Sequence, residues 1–350
     1  MDFDLDEFLQ HQVRLSRLET GGINAVVTPS LNETYKKIRQ VLAEYDDIRS
    51  QAQLNLILDR INTIVENSGG WDKLEQEHLL PLAEFEAQWI AQYTAQSLDA
   101  DVVEPTGVAL GQAIKQTLLS VESGTAVQTG LWSEFVKRNL DARKNNYNSI
   151  IKRGFLRDQT IAQITTQIRN VSNGLLKREA EALARTGYIH YASIADKTFA
   201  EQNTDLADEY YYVVTFDSRT TKICRSLDAR FNPPSKRFKV GDPKAPSIPL
   251  HFNCRTRRLS VPKGTTPQGM RATVGADGGE SIKASTSHAA WLRSQTKSFI
   301  IESLGEKRAE LFINGGLSLD KFTDMSLRPL TLDEIKQKYP RAWLKAFEDK

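Results

Sequence analysis

The sequence predicts an α+β fold: a mainly helical N-terminal region, a small mixed α/β loop-rich domain, and a helical C-terminal extension. Three observations carry this. Apolar residues recur at helical spacing through roughly the first two hundred positions. Residues 210–216, Tyr-Tyr-Tyr-Val-Val-Thr-Phe, then switch to the aromatic and β-branched character of a strand. From Asp228 to Pro267 prolines are frequent and helix formers sparse, before helical periodicity returns at Ala289. The expected divisions are residues 1–150, a helical docking scaffold; 151–270, the mixed domain; and 271–350, a linker and helical extension.

Element by element, Thr28-Pro29-Ser30 offers a cap before a helix over residues 31–48, where Leu31, Tyr35, Ile38, Leu42 and Tyr45 share a face. Leu54, Ile57, Leu58, Ile61, Ile64 and Val65 continue the pattern until Ser68-Gly69-Gly70. Further helices are expected over 80–98, 110–121 and 132–151, with a turn near Pro105-Thr106-Gly107 and an interruption at Gly124. Residues 154–160 read as a loop feeding a helix whose Ile161, Ile164 and Ile168 form one face. Asp277-Gly278-Gly279 reads as a mobile or turn-forming linker. Helices follow over 289–304 and 307–313, the second ended by Asn314-Gly315-Gly316. Thr331 and Glu334 fit a capping box opening a last helix. There is no internal repeat.

Composition narrows the function classes. No apolar run reaches the roughly 18 residues that cross a bilayer, and the first ten residues are acidic where a signal peptide is basic. A soluble, intracellular protein with no membrane partner is expected. Two cysteines in 350 residues make no disulfide scaffold. Net charge is only +2, yet residues 1–100 hold 8 Lys/Arg against 17 Asp/Glu. Residues 219–271 hold 13 Lys/Arg against Asp228 and Asp242 alone. Such a stretch favours nucleic acid or an acidic protein surface. The candidate contacts are Arg219, Lys222, Arg225, Arg230, Lys236, Arg237, Lys239, Arg255, Arg257 and Arg258. A second basic run, residues 137–157, carries seven Lys/Arg against Asp141. Either run can also be a solvated face, the usual reading of such a run on a helix.

Both cysteines lie in one constellation: residues 215–224, then Leu227-Asp228, then residues 249–255, Pro-Leu-His-Phe-Asn-Cys-Arg. Thiolates plus an imidazole are zinc ligands, and a His-x-x-Cys pair reaches one ion from a tight turn. Cys224, His251 and Cys254 are therefore candidate metal ligands, with Asp217 conceivable as a fourth. Two other readings stay open: buried thiols beside a hydrogen-bonded histidine, or a Cys224–Cys254 disulfide.

The order Asp217-x-Arg219-Thr220, Cys224, Leu227-Asp228, a proline-rich gap, then Pro249-x-His251-x-Asn253-Cys254-Arg255 resembles the defining region of phage Mu F-like minor head proteins. Gly154 before Thr160-Ile161 resembles the family's glycine loop, and Ala184-Arg185-Thr186 its Ala-Arg-Thr element. Trp291–Gln295, Leu304-Gly305, Arg308, Gly315–Asp320 and Arg328–Glu334 look like the C-terminal extension of many siphophage members. The resemblance covers roughly residues 150–340. It implies no enzyme, but a component present in few copies, bound near the portal inside the head and present in host cytoplasm during assembly. The implied partners are the portal protein, the major capsid protein and packaged double-stranded DNA. The chain departs from the family pattern where many members carry further cysteines, having Thr221 and Thr256, and has Ala229 where glycine is common.

Two other classes stand beside this reading. An ADP-ribosyltransferase-like enzyme would use Arg185 or the 210–216 strand, but needs a catalytic Glu; residues 219–279 contain none, and Glu280 sits in the glycine-rich linker. A nuclease finds Asp217, Asp228 and Asp242 scattered. A nucleic-acid-binding protein outside virions has only Phe231, Phe238 and Phe252 for stacking in the basic stretch. No P-loop, nucleophile elbow or dinucleotide glycine pattern occurs.

Overall fold

In the computed structural model, residues 3–68, 70–123 and 126–348 are described. After β1 (Phe3–Asp4), α1 (Asp6–Gly22) runs through a one-turn π segment, Ile23–Val27, into α2 (Thr28–Ala43). The cap expected at Thr28 is therefore no helix start: Val27 and Thr28 keep helical backbone. Pro29 supplies no N–H, and the π segment before it already interrupts the regular ladder, so the rod continues. It ends at Ala43, short of residue 48. Ser50 caps α3 (Gln51–Glu66), its side chain accepting from the Gln53 amide. Gly69, expected in a stop, lies outside the described residues. Gly70 opens α4 (Gly70–Leu74), which passes through a second π segment into α5 (Leu80–Leu98).

Thr106 caps α6 (Gly107–Gln116). The helix expected to reach Val121 stops there, because Thr117 turns extended and a hairpin follows, β2 (Leu119–Ser123) with β3 (Ala126–Gly130). Leu119 and Val121 are buried with period two, which a helical reading of the same apolar residues had absorbed. Gly124 lies outside the described residues. α7 (Trp132–Leu156) runs straight through Gly154. That glycine is there for contact, since a Cβ on it would meet Ile164 Cγ1 at 2.5 Å. The turn comes later, at Asp158 with φ 49°. Thr160 caps α8 (Ile161–Val171), which a third π segment joins to α9 (Lys177–Gln202).

The strand expected at 210–216 is β4 (Glu209–Val213). α10 (Lys222–Phe231) follows, so Asp228 stands in a helix and not in a loop. β5 (Arg257–Val261), β6 (Pro267–Gln268), β7 (Met270–Gly275) and β8 (Gly278–Lys283) follow in turn. The linker expected at 277–279 is the β7–β8 hairpin turn, with Gly278 at φ 103°. The helix expected over 289–304 is two, α11 (His288–Ser294) and α12 (Lys297–Leu304), and α13 (Glu306–Ile313) ends at Asn314 as expected. Thr331 and Glu334 form the expected capping box of α14 (Leu332–Lys338), before α15 (Pro340–Phe347).

The fold is thus α+β: mainly helical, with four two-stranded sheets among the described residues. β4 pairs antiparallel with β5, every residue of both strands buried, while β1 pairs parallel with β6. One apolar core gathers Leu15, Trp132, Tyr212, Trp291 and Ala346, so residues from all three compositional segments share it, and the division at residue 150 falls inside α7. A second core joins α2, α3, α7 and α8 through Ile38, Ile57, Ile151 and Ile164. Each such fully buried aliphatic side chain contributes about 1.5–3 kcal/mol. Among the described residues no helix is long and apolar enough to cross a membrane.

Candidate functional site

A cleft of about 680 Å³ opens where α1, α9, the β4–α10 loop and residues 251–256 meet. Glu19 of α1 and Arg185 of α9 line it together with Arg219, Thr221 and Cys224 and the run from His251 to Thr256. Local chemistry explains the loops. Thr221 caps α10, its hydroxyl accepting from the Cys224 amide at 3.3 Å, which orients the first-turn thiol. Cys254 N–H donates to the His251 carbonyl at 3.1 Å, and Asn253 takes φ 58°, closing the His-x-x-Cys turn. The Asn253 amide donates to Thr186 Oγ1 at 3.2 Å, and Phe252 packs on Phe135, so α9 and α7 hold this turn from two sides.

The two sequence blocks meet. Arg255 grips Asp217 with both Nη atoms, at 2.6 and 2.9 Å, and Thr220 Oγ1 donates to Asp217 Oδ1 at 3.0 Å. Burial opposes ionisation of Asp217, but the Arg255 guanidinium outweighs it and holds the carboxyl at about 2. Asp217 is therefore committed to an ion pair, not to the thiols.

Cys224, His251 and Cys254 do converge: one donor atom from each lies within 4.8 Å of the others. His251 Nδ1 donates to the Phe252 carbonyl at 2.8 Å, so in the neutral ring Nε2 carries the lone pair. That Nε2 lies 2.9 Å from Thr221 Oγ1 and 3.3 Å from Cys224 Sγ. The sulfurs are 3.9 Å apart and both thiols are free, so the disulfide reading does not describe this structure. Hydrogen bonding from Cys224, with help from His251, pulls the Cys254 thiol well below its usual range. Burial disfavours the His251 cation, but bonding to Cys254 nets its pKa upward.

The other motif residues divide. Arg185 reaches Glu19 at 3.2 Å and Asn253 Oδ1 at 3.4 Å, on the cleft wall. Burial pushes the Glu19 carboxyl up, and Arg185 offsets only part of it. Asp228 is elsewhere, tying α10 to α11 by accepting from Asn232 Nδ2 at 2.7 Å and the His288 amide at 2.9 Å.

Half of the expected nucleic-acid contacts are corrected. Arg257 is 1% exposed, bound to Glu86 at 2.6 Å and Asp196 at 2.8 Å. Arg258 is buried over the Tyr210 ring, and Arg225 is buried donating to the carbonyls of Asp217, Ser218 and Ser303. The Arg237 side chain is buried against Tyr211, and Arg230 serves the carbonyls of Asp320, Thr323 and Asp324. A guanidinium carries five donors, and here they satisfy loop carbonyls that no charge count reveals. Lys222 is half-buried, whereas Arg219, Lys236, Lys239 and Arg255 are exposed.

Sequence reasoning missed Glu19, which has no motif around it, and the buried group His11–Glu86–Arg257–Asp196, assembled from α1, α5, β5 and α9. Glu280, weighed as an enzyme's glutamate, instead accepts from Trp291 Nε1 at 2.8 Å at the β7–β8 hairpin. No protein-family model, curated protein or solved structure matches the chain.

Proposed function

We propose that this chain is a minor head protein of a tailed bacteriophage, of the Mu F-like kind, bound near the portal inside the head. One observation carries the reading. The residues on which the resemblance rests, Asp217, Arg219, Thr220 and Arg185 with His251, Asn253, Cys254 and Arg255, are separated in sequence yet form one connected site. Unrelated sequence coincidences have no reason to be joined by a bidentate ion pair and a shared turn. The helical N-terminal half then acts as the docking scaffold toward portal and major capsid proteins. Contact with packaged DNA falls to the exposed cations Arg219, Lys236, Lys239 and Arg255, whose grip on phosphates is independent of base sequence.

The test is location. Proteomic counting and a label on this chain should find it in purified heads at low copy, at the portal vertex. Its absence from particles at every assembly stage, or turnover of a substrate at an enzyme's rate, would overturn the proposal.

A further inference from the structure

Zinc bonds of about 2.3 Å to sulfur and about 2.0–2.1 Å to nitrogen, at a tetrahedral angle, fix the edges of the coordination figure. Two sulfurs then stand about 3.8 Å apart, and a sulfur and a nitrogen about 3.6 Å apart. In this protein Cys224 Sγ and Cys254 Sγ are 3.9 Å apart, and Cys224 Sγ and His251 Nε2 3.3 Å. The third donor pair closes the triangle within 4.8 Å. The three side chains thus stand within a few tenths of an ångström of a zinc-binding face on both measured edges.

The surroundings agree. The Phe252 carbonyl accepts a hydrogen bond from His251 Nδ1–H, which fixes the ring and leaves the Nε2 lone pair for a metal. Cys224 is anchored in the first turn of α10 and Cys254 on the closed turn after His251, so hydrogen-bonded backbone holds both thiols in place. Thr221 and Thr256 line the cleft beside this group. Asp217 is held by Arg255 and is not a donor.

We propose that Cys224, His251 and Cys254 bind one zinc ion through two thiolates and one imidazole, with the fourth position open to an oxygen ligand from the cleft. The bound form needs both sulfurs as thiolates and the imidazole neutral, and the two thiolates neutralise the ion's charge in a buried place. The proposal stands on these side chains alone, whether or not the chain belongs to a phage head.

The test uses the full-length, tag-free chain, reduced and stripped of metal, with both thiols counted as free. Titration with Co²⁺ should give one equivalent with a sulfur-to-cobalt charge-transfer band, displaced by one equivalent of Zn²⁺. Native mass spectrometry should show one zinc per chain. His251→Ala and Cys254→Ser should each weaken binding by more than about 100-fold, since losing even outer partners costs roughly 10–100-fold. Lys307→Ala, at an exposed position of α13, should bind as the parent does. Failure of the folded, reduced parent chain to take up Co²⁺ overturns the proposal whatever the variants do. Undiminished affinity in His251→Ala overturns it as well.

Discussion

Asp217 is the residue through which the two halves of the cleft are joined, and its ion pair has a pH signature. Its carboxyl lies at about 2, below its ordinary 3.8, so the pair stabilises the fold above that ordinary value. The contribution is lost as pH falls from about 4 toward 2. Discounted for the exposure of Arg255, it is worth about 1–2 kcal/mol. Asp217→Asn should lower stability by that amount in urea at pH 7, and the gap to the parent should shrink at pH 3. A constant gap would assign Asp217's role to hydrogen bonding alone. Arg257 is a harsher case. Burial pushes the Asp196 carboxyl up to about 6 even with Arg257 beside it, so removing the cation leaves Asp196 buried without its ion pair and Glu86 with His11 alone. Arg257→Met should cost about 3–5 kcal/mol by denaturant unfolding, whereas an exposed cation such as Arg219 should cost less than about 0.5 kcal/mol.

At the scale of elements, α7 decides between a loop and a helix at Gly154. In a helix free of neighbours, alanine would be favoured over glycine by about 1 kcal/mol. Here the added methyl would meet the buried Ile164 side chain at 2.5 Å, and β-branched isoleucine has little freedom to give way. Gly154→Ala should therefore destabilise by about 1–3 kcal/mol, read from the thermal or urea midpoint. A stabilised variant would show that α7 and α8 do not approach this closely. The three π segments follow one logic: two stand just before Pro29 and Pro81, and the third contains Gly174, all places where the regular ladder is already weak.

For the whole molecule, burial has divided the basic stretch. Lys236 and Lys239 lie exposed just beyond α10, while Arg225, Arg257 and Arg258 are structural. If DNA meets this face, reversing both lysines (Lys236→Glu with Lys239→Glu) should flatten the log–log salt dependence of binding by about 2, since each phosphate contact contributes about 0.9. Fluorescence anisotropy across a salt series measures it. An unchanged slope would move the DNA contact elsewhere. Reversing Arg257 or Arg258 would be uninformative, because the variants would lose the core before they lost a ligand.

Local rules and periodicity are short-range physics, so the sequence alone determined what depends on them. The α+β class, the amphipathic face of α8, the strand at Tyr210 and the capping box at Thr331 were legible because a few neighbouring residues decide each. The nearness of Cys224, His251 and Cys254 was legible as chemistry, from residue types and one tight turn. Only the tertiary structure decided which arginines are free, that Asp217 answers Arg255, and that Glu19 faces the cleft from α1. Guanidinium donors and buried carboxylates choose partners by three-dimensional proximity in a low-dielectric interior, and that proximity is set by packing far along the chain.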